Sequence, residues 1–186
     1  GESDEVRLSH PSGMVIVRNR LVVADGRSLR VFDRETGVYR GSVDVPSATL
    51  LTDLAVGERG EIFATDTALD GPMPFGTVYR ISRRGSVSAI ARSSVLGHPT
   101  GVISLGPQTW ISATSPGAFY AVSRDGRLTH GASLPAEGAL SGLLWADDQV
   151  VFFSPSTHTL YAGPLAGPFD PIATRVDTTG NMGWDA

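Results

Sequence analysis

The sequence predicts an all-β protein built as a β-propeller of four-stranded antiparallel blades. Three observations carry this. Short apolar, β-branched runs recur throughout the chain and are separated by Gly, Pro and small polar residues, as in His98-Pro99-Thr100-Gly101-Val102-Ile103-Ser104 and its earlier counterpart His10-Pro11-Ser12-Gly13-Met14-Val15-Ile16-Val17. Entry segments of this kind, aligned on Gly13, Asp53, Gly101, Gly142 and Gly183, are 40, 48, 41 and 41 residues apart. That is the spacing of propeller blades. No stretch shows the caps and 3.6-residue period of an ordinary helix.

The order of elements repeats inside each unit. After the entry strand comes a second apolar run closing on an acid or hydroxyl: Leu21 to Asp25, Ile62 to Asp66, Trp110 to Thr114 and Val150 to Ser154. A third run follows at Leu29 to Phe32, Val78 to Ile81, Phe119 to Val122 and Leu160 to Ala162, and its alternating character predicts one packed face and one partly exposed face. Polar turns ending in Gly37, Gly85, Gly126 and Gly167 then supply the positive φ of a tight hairpin. A more polar fourth strand, such as Ser88 to Ala91, faces solvent while the entry strand lines a central channel. The chain reads as one domain of four complete blades at about 10–49, 50–97, 98–138 and 139–179, with partial blades at 1–9 and 180–186. Glu5 to Leu8 reads as the outer strand of a preceding blade, and Asn181 to Ala186 as another inner strand. The chain therefore reads as a segment of a longer propeller, with self-association as one way of covering open blade faces.

Composition limits the functional classes. With 41% hydrophobic and 18% charged residues, the 186-residue chain can bury a core. A formal net charge of −4 offers no footprint for nucleic acid. Zero cysteines remove disulfides, a thiolate nucleophile and Cys-ligated zinc. No apolar run reaches the roughly 20 residues of a membrane-spanning helix. The compartment is open on these grounds, with a periplasmic or secreted setting marginally favoured.

The entry segments Leu51 to Val56 and Pro99-Thr100-Gly101, together with Gly60 to Asp66, Gly76 to Ile81 and Asn181 to Asp185, resemble the senescence-marker-protein and gluconolactonase family, close to NHL-type and strictosidine-synthase-like propellers. The resemblance implies a propeller of six blades. It also implies a divalent cation, calcium or another, at one channel mouth, held by a Glu, two Asn and an Asp. By resemblance the Asn positions fall on Thr52 and Thr100 and the Asp position on Ser141. The Glu-bearing blade is either the first, where Ser12 stands, or one outside this chain. The family's ligands are thus replaced by neutral hydroxyls, and no metal ligand is assigned.

Two functions follow. The first is a scaffold that binds a small molecule or a protein at the channel mouth through Ser12, Thr52, Asp53, His98, Thr100, Ser141 and Asn181, with a degenerate metal site. The second is a divalent-metal-dependent lactonase or other hydrolase of the same family with an altered or incomplete site. For the second, His10 and His98, which hold equivalent places in two repeats, and Asp53 are the candidate catalytic groups, since imidazole titrates near neutrality. Asp25 and Asp66 close second strands at matching places and are expected to cap turns. His130, His158 and the Arg83-Arg84 pair are expected at the surface, and Trp110, Trp145 and Trp184 between blades. The irregular stretch Asp70 to Gly76 is a candidate binding loop.

Overall fold

A computed structural model describes residues 6–67, 75–114, 117–135 and 140–177. Among these described residues are sixteen strands in four antiparallel sheets, each made of four consecutive strands in meander order. The first blade is β1 (Pro11–Val17), β2 (Arg20–Asp25), β3 (Ser28–Asp33) and β4 (Tyr39–Asp44). The second is β5 (Leu51–Val56), β6 (Ile62–Asp66), β7 (Gly76–Ile81) and β8 (Val87–Ser93). The third is β9 (Pro99–Leu105), β10 (Gln108–Ala113), β11 (Ala118–Val122) and β12 (Leu128–Ser133). The fourth is β13 (Ser141–Ala146), β14 (Gln149–Ser154), β15 (Thr159–Gly163) and β16 (Asp170–Thr174). One helical turn, of 3-10 type, spans Ser94–Leu96 and is capped by the Ser93 hydroxyl accepting from Val95 N–H.

Three apolar cores lie between successive blades. Leu29, Val45, Leu51, Leu54 and Ile81 join the first two blades. Val78, Leu96, Val102, Ile111 and Val122 join the middle pair. An aromatic group of Phe119, Phe152 and Phe169, with edge-to-face centroid separations of 5.2 to 5.4 Å, fills the space between the last two. Tyr161 stacks on Phe152 at 5.4 Å, and Trp110 and Trp145 pack beside this group, as their strand positions predict. Trp184 lies outside the described residues.

One expectation needs correction. The third strands of the middle blades do not alternate in burial. β11 is buried at every position and β7 at all but Arg80, because a blade with neighbours on both sides has two covered faces. The period-two reading suits only strands with one free face. Val6 to Leu8 precede β1 and are not paired as a strand among the described residues, and Glu5 lies outside them. Outer strands β4, β8, β12 and β16 are largely exposed, as expected of the solvent side of a blade.

Candidate functional site

Each entry strand slips register against its second strand at the aligned position: between Pro11 and Met14, Leu51 and Asp53, Pro99 and Gly101, and Ser141 and Leu143. A β-bulge re-aims the side chain at the slip. It turns Ser12 and Thr52 toward the following blade rather than along their own sheet. The Ser12 hydroxyl donates to the Leu51 carbonyl at 2.8 Å, and the Thr52 hydroxyl lies 3.0 Å from the Pro99 carbonyl. Leu51 and Pro99 hold the same place in consecutive blades, so one inter-blade latch is built twice. Thr67 adds a second hydroxyl to the Pro99 carbonyl at 3.2 Å, and Thr52 also contacts Thr65 Oγ1 at 3.0 Å. Thr100 is within 3.4 Å of Thr114 Oγ1. Ser141 is half-buried at the start of β13.

The residue after the bulge sits against the next blade. A Cβ on Gly13 would fall 2.6 Å from the Asp53 Cα, and one on Gly101 would fall 2.7 Å from the Leu143 Cβ. Only glycine permits this approach. The second blade instead carries Asp53 here, and the bulk is accommodated by turning the carboxylate into the inter-blade space. Its two oxygens accept from Leu54 N–H and Val102 N–H, both at 2.9 Å, so one side chain ties β5 to β9. Asp53 is 8% exposed. Burial pushes its pKa up to about 7, against the opposing pull of the Val102 and Leu54 amides.

Asp25 and Asp66 do what their positions predict. Asp66 Oδ1 accepts from Leu50 N–H at 2.9 Å and from the Thr49 hydroxyl at 2.7 Å. Asp25 Oδ1 accepts from His10 N–H at 2.6 Å and Ser9 N–H at 2.8 Å, while Arg30 bonds its other oxygen at 3.2 Å. Burial opposes ionisation of Asp25, but these donors outweigh it and its pKa is lowered. Both carboxylates fix the chain segment leading into an entry strand.

His10 and His98 are equivalent in backbone placement, each accepting through its carbonyl from the residue that follows a second strand (Gly26 and Thr114, respectively). Their side chains differ. His10 is exposed, whereas His98 is half-buried with Nδ1 3.0 Å from the Thr67 carbonyl oxygen. A carbonyl oxygen can only accept, so Nδ1 carries the proton and Nε2 of the neutral ring keeps its lone pair. His130 and His158 are exposed, as are Arg83 and Arg84. Asn181 and the segment Asp70 to Pro74 lie outside the described residues. Among the described residues, no group of three or more His, Asp or Glu side chains is placed to hold a metal ion, and no helix is long and apolar enough to cross a membrane.

No protein-family model matches the sequence, and no curated protein matches it. Solved structures do match by shape. A streptogramin B lyase aligns over 93% of this chain and 57% of its own, with a TM-score of 0.73 at 15% identity. Virginiamycin B lyase from Staphylococcus aureus aligns over 94% of this chain and 59% of its own, with a TM-score of 0.71 at 16% identity. A catalytically inactive histidine-to-alanine variant of that enzyme, bound to quinupristin, also matches, with a TM-score of 0.69 at 15% identity over 92% of this chain and 58% of its own. A protein described as a putative gluconolactonase aligns over 92% of this chain and 66% of its own, with a TM-score of 0.73 at 15% identity. The chain thus spans less than two thirds of these proteins. What it shares with gluconolactonase-type and virginiamycin B lyase-type proteins is the β-propeller fold.

Proposed function

We propose that this chain is the scaffold of a binding propeller of gluconolactonase-like type. In this reading, the positions that hold a cation in its relatives have become hydrogen-bonded fasteners between blades. The observation that carries the reading is the repeated bond from Ser12 to the Leu51 carbonyl and from Thr52 to the Pro99 carbonyl. A neutral hydroxyl turned onto the backbone of the next blade brings no charge to a hard dication, which prefers six to eight oxygens with carboxylates among them. Asp53, the carboxylate nearest these positions in sequence, has both oxygens occupied by backbone amides. The donor set does not fit calcium. The mouth is left with the Thr100 hydroxyl and the His10 and His98 imidazoles, suited to hydrogen-bonding a small polar molecule or a protein loop. The test is hydrolysis of glucono-δ-lactone by the purified chain with added calcium or manganese. The scaffold reading predicts no metal-stimulated rate above buffer, and a metal-stimulated rate that saturates with lactone overturns it.

A second reading is favoured by one observation, the orientation of His98. With Nδ1–H anchored on the Thr67 carbonyl, Nε2 is held as a base, the arrangement a general-base histidine needs. A metal-independent opening of a lactone or ester, lost on His98→Ala and retained on His10→Ala, would establish that reading. Loss on neither variant removes it.

A further inference from the structure

At the blade ends remote from His98, the first two blades splay apart around an open cleft of about 1400 Å³. Its walls are half-exposed apolar residues at the strand ends of both blades: Val17, Val31 and Val43 on one side, Val56 and Ile62 on the other. Its rim is cationic. Arg18, Arg20, Arg40, Arg59, Arg83 and Arg84 line it, against two carboxylates, Asp33 and Glu58. Neither carboxylate is free to neutralise the rest. Asp33 is bonded to Arg40 at 3.0 Å, and Glu58 is drawn 3.1 Å from Arg124 of the third blade. Among the described residues the other five arginines have no ion-pair partner, and all are exposed. The turns bring them together. Arg59-Gly60 closes β5 to β6, Arg83-Arg84-Gly85 closes β7 to β8, and Gly60, at φ +74°, leaves room for the Arg83 stem to lie across it at 3.4 to 3.8 Å from the position of a Cβ. On a chain whose net charge is −4, such a concentration of guanidinium groups is a local reversal of sign.

We propose that this cleft is a binding site for a small organic anion, a carboxylate carried on an apolar body. The apolar body lies between the strand ends of the two blades, and the carboxylate is taken in bidentate fashion by the arginine rim, the geometry for which guanidinium is suited. The site is separate from the channel mouth discussed above and does not depend on its function.

The test is a fluorescence titration of the chain with the anionic probe 1-anilinonaphthalene-8-sulfonate and, in parallel, its neutral analogue N-phenyl-1-naphthylamine. Dodecanoate serves as competitor. The proposal predicts saturable binding of the anion, displacement by dodecanoate, and an affinity at least about tenfold above that of the neutral probe, roughly the worth of two exposed ion pairs. Raising sodium chloride from about 50 to about 500 mM should weaken the anion and leave the neutral probe unaffected, a comparison that needs no variant. The double substitution Arg59→Glu with Arg83→Glu should weaken the anion about tenfold or more, while Arg175→Glu, on the fourth blade, should leave its affinity unchanged. Both variants are checked for an unchanged thermal midpoint. Absence of binding, equal affinity for the two probes, indifference to the double reversal, or equal loss on Arg175→Glu each overturns the proposal.

Discussion

Asp53→Asn should be less stable than the wild type in acid and gain on it as pH rises. The carboxyl is buried between blades without a cationic partner, and the fold raises its pKa from 3.8 to about 7. That displacement corresponds to about 4 kcal/mol of extra cost for ionising the group in the fold, as an order of magnitude. The folded state binds the proton more tightly than the unfolded state. The contribution of Asp53 is therefore fully present below pH 4, is lost as pH rises toward 7, and is flat beyond. Asparagine never ionises, but it keeps only one acceptor oxygen, so its NH2 must face one of the two backbone N–H groups that Asp53 satisfies. Urea unfolding followed by tryptophan fluorescence at several pH values isolates this residue, because every other titrating group cancels in the difference between wild type and variant. The variant should trail the wild type by about 1–3 kcal/mol near pH 4, the cost of the lost acceptor, and gain on it by up to about 4 kcal/mol between pH 4 and pH 8. A difference independent of pH, or one in which the wild type gains as pH rises, would refute the account of Asp53 as a desolvated tie between blades.

Three further outcomes follow from the same geometry. Gly13→Ala should destabilise by about 1–3 kcal/mol in urea unfolding, because its Cβ meets the backbone of Asp53 at 2.6 Å and β1 must retreat from β5. Phe152→Ala empties the centre of the aromatic group between the third and fourth blades and should cost about 3–5 kcal/mol, read as a fall in thermal midpoint. Asp66→Ala leaves Leu50 N–H and Thr49 without their acceptor and should cost about 1–3 kcal/mol, with faster amide hydrogen exchange at Leu50.

Strand order, the meander of each blade and the turn-capping role of Asp25 and Asp66 are local properties, and the sequence carries them plainly. An acid at the end of a second strand has backbone amides within reach in any such blade. What local pattern could not convey is the relation of one blade to the next. Ser12 and Thr52 look like a ring of mouth-facing hydroxyls when aligned by repeat, yet the bulge turns them onto carbonyls 39 and 47 residues away. β7 and β11 break the alternation rule for the same reason, since a neighbour on each side covers both faces. The arginine cleft was invisible because Arg18, Arg59 and Arg83 come from three separate turns, and Arg83-Arg84 taken alone reads as an ordinary exposed tip. The histidines fall between these cases. Their equivalence could be read from the repeat, but not the contact with Thr67 that orients His98 and not His10.

The proposal that Ser12 and Thr52 serve as fasteners between blades and not as part of a cation site is tested most directly by calorimetric titration of calcium into the chain. The account predicts no binding tighter than the millimolar range, and a Thr52→Val variant that loses stability without any change in the titration. Micromolar, one-to-one calcium binding that disappears on Thr52→Val or Asp53→Asn would contradict it.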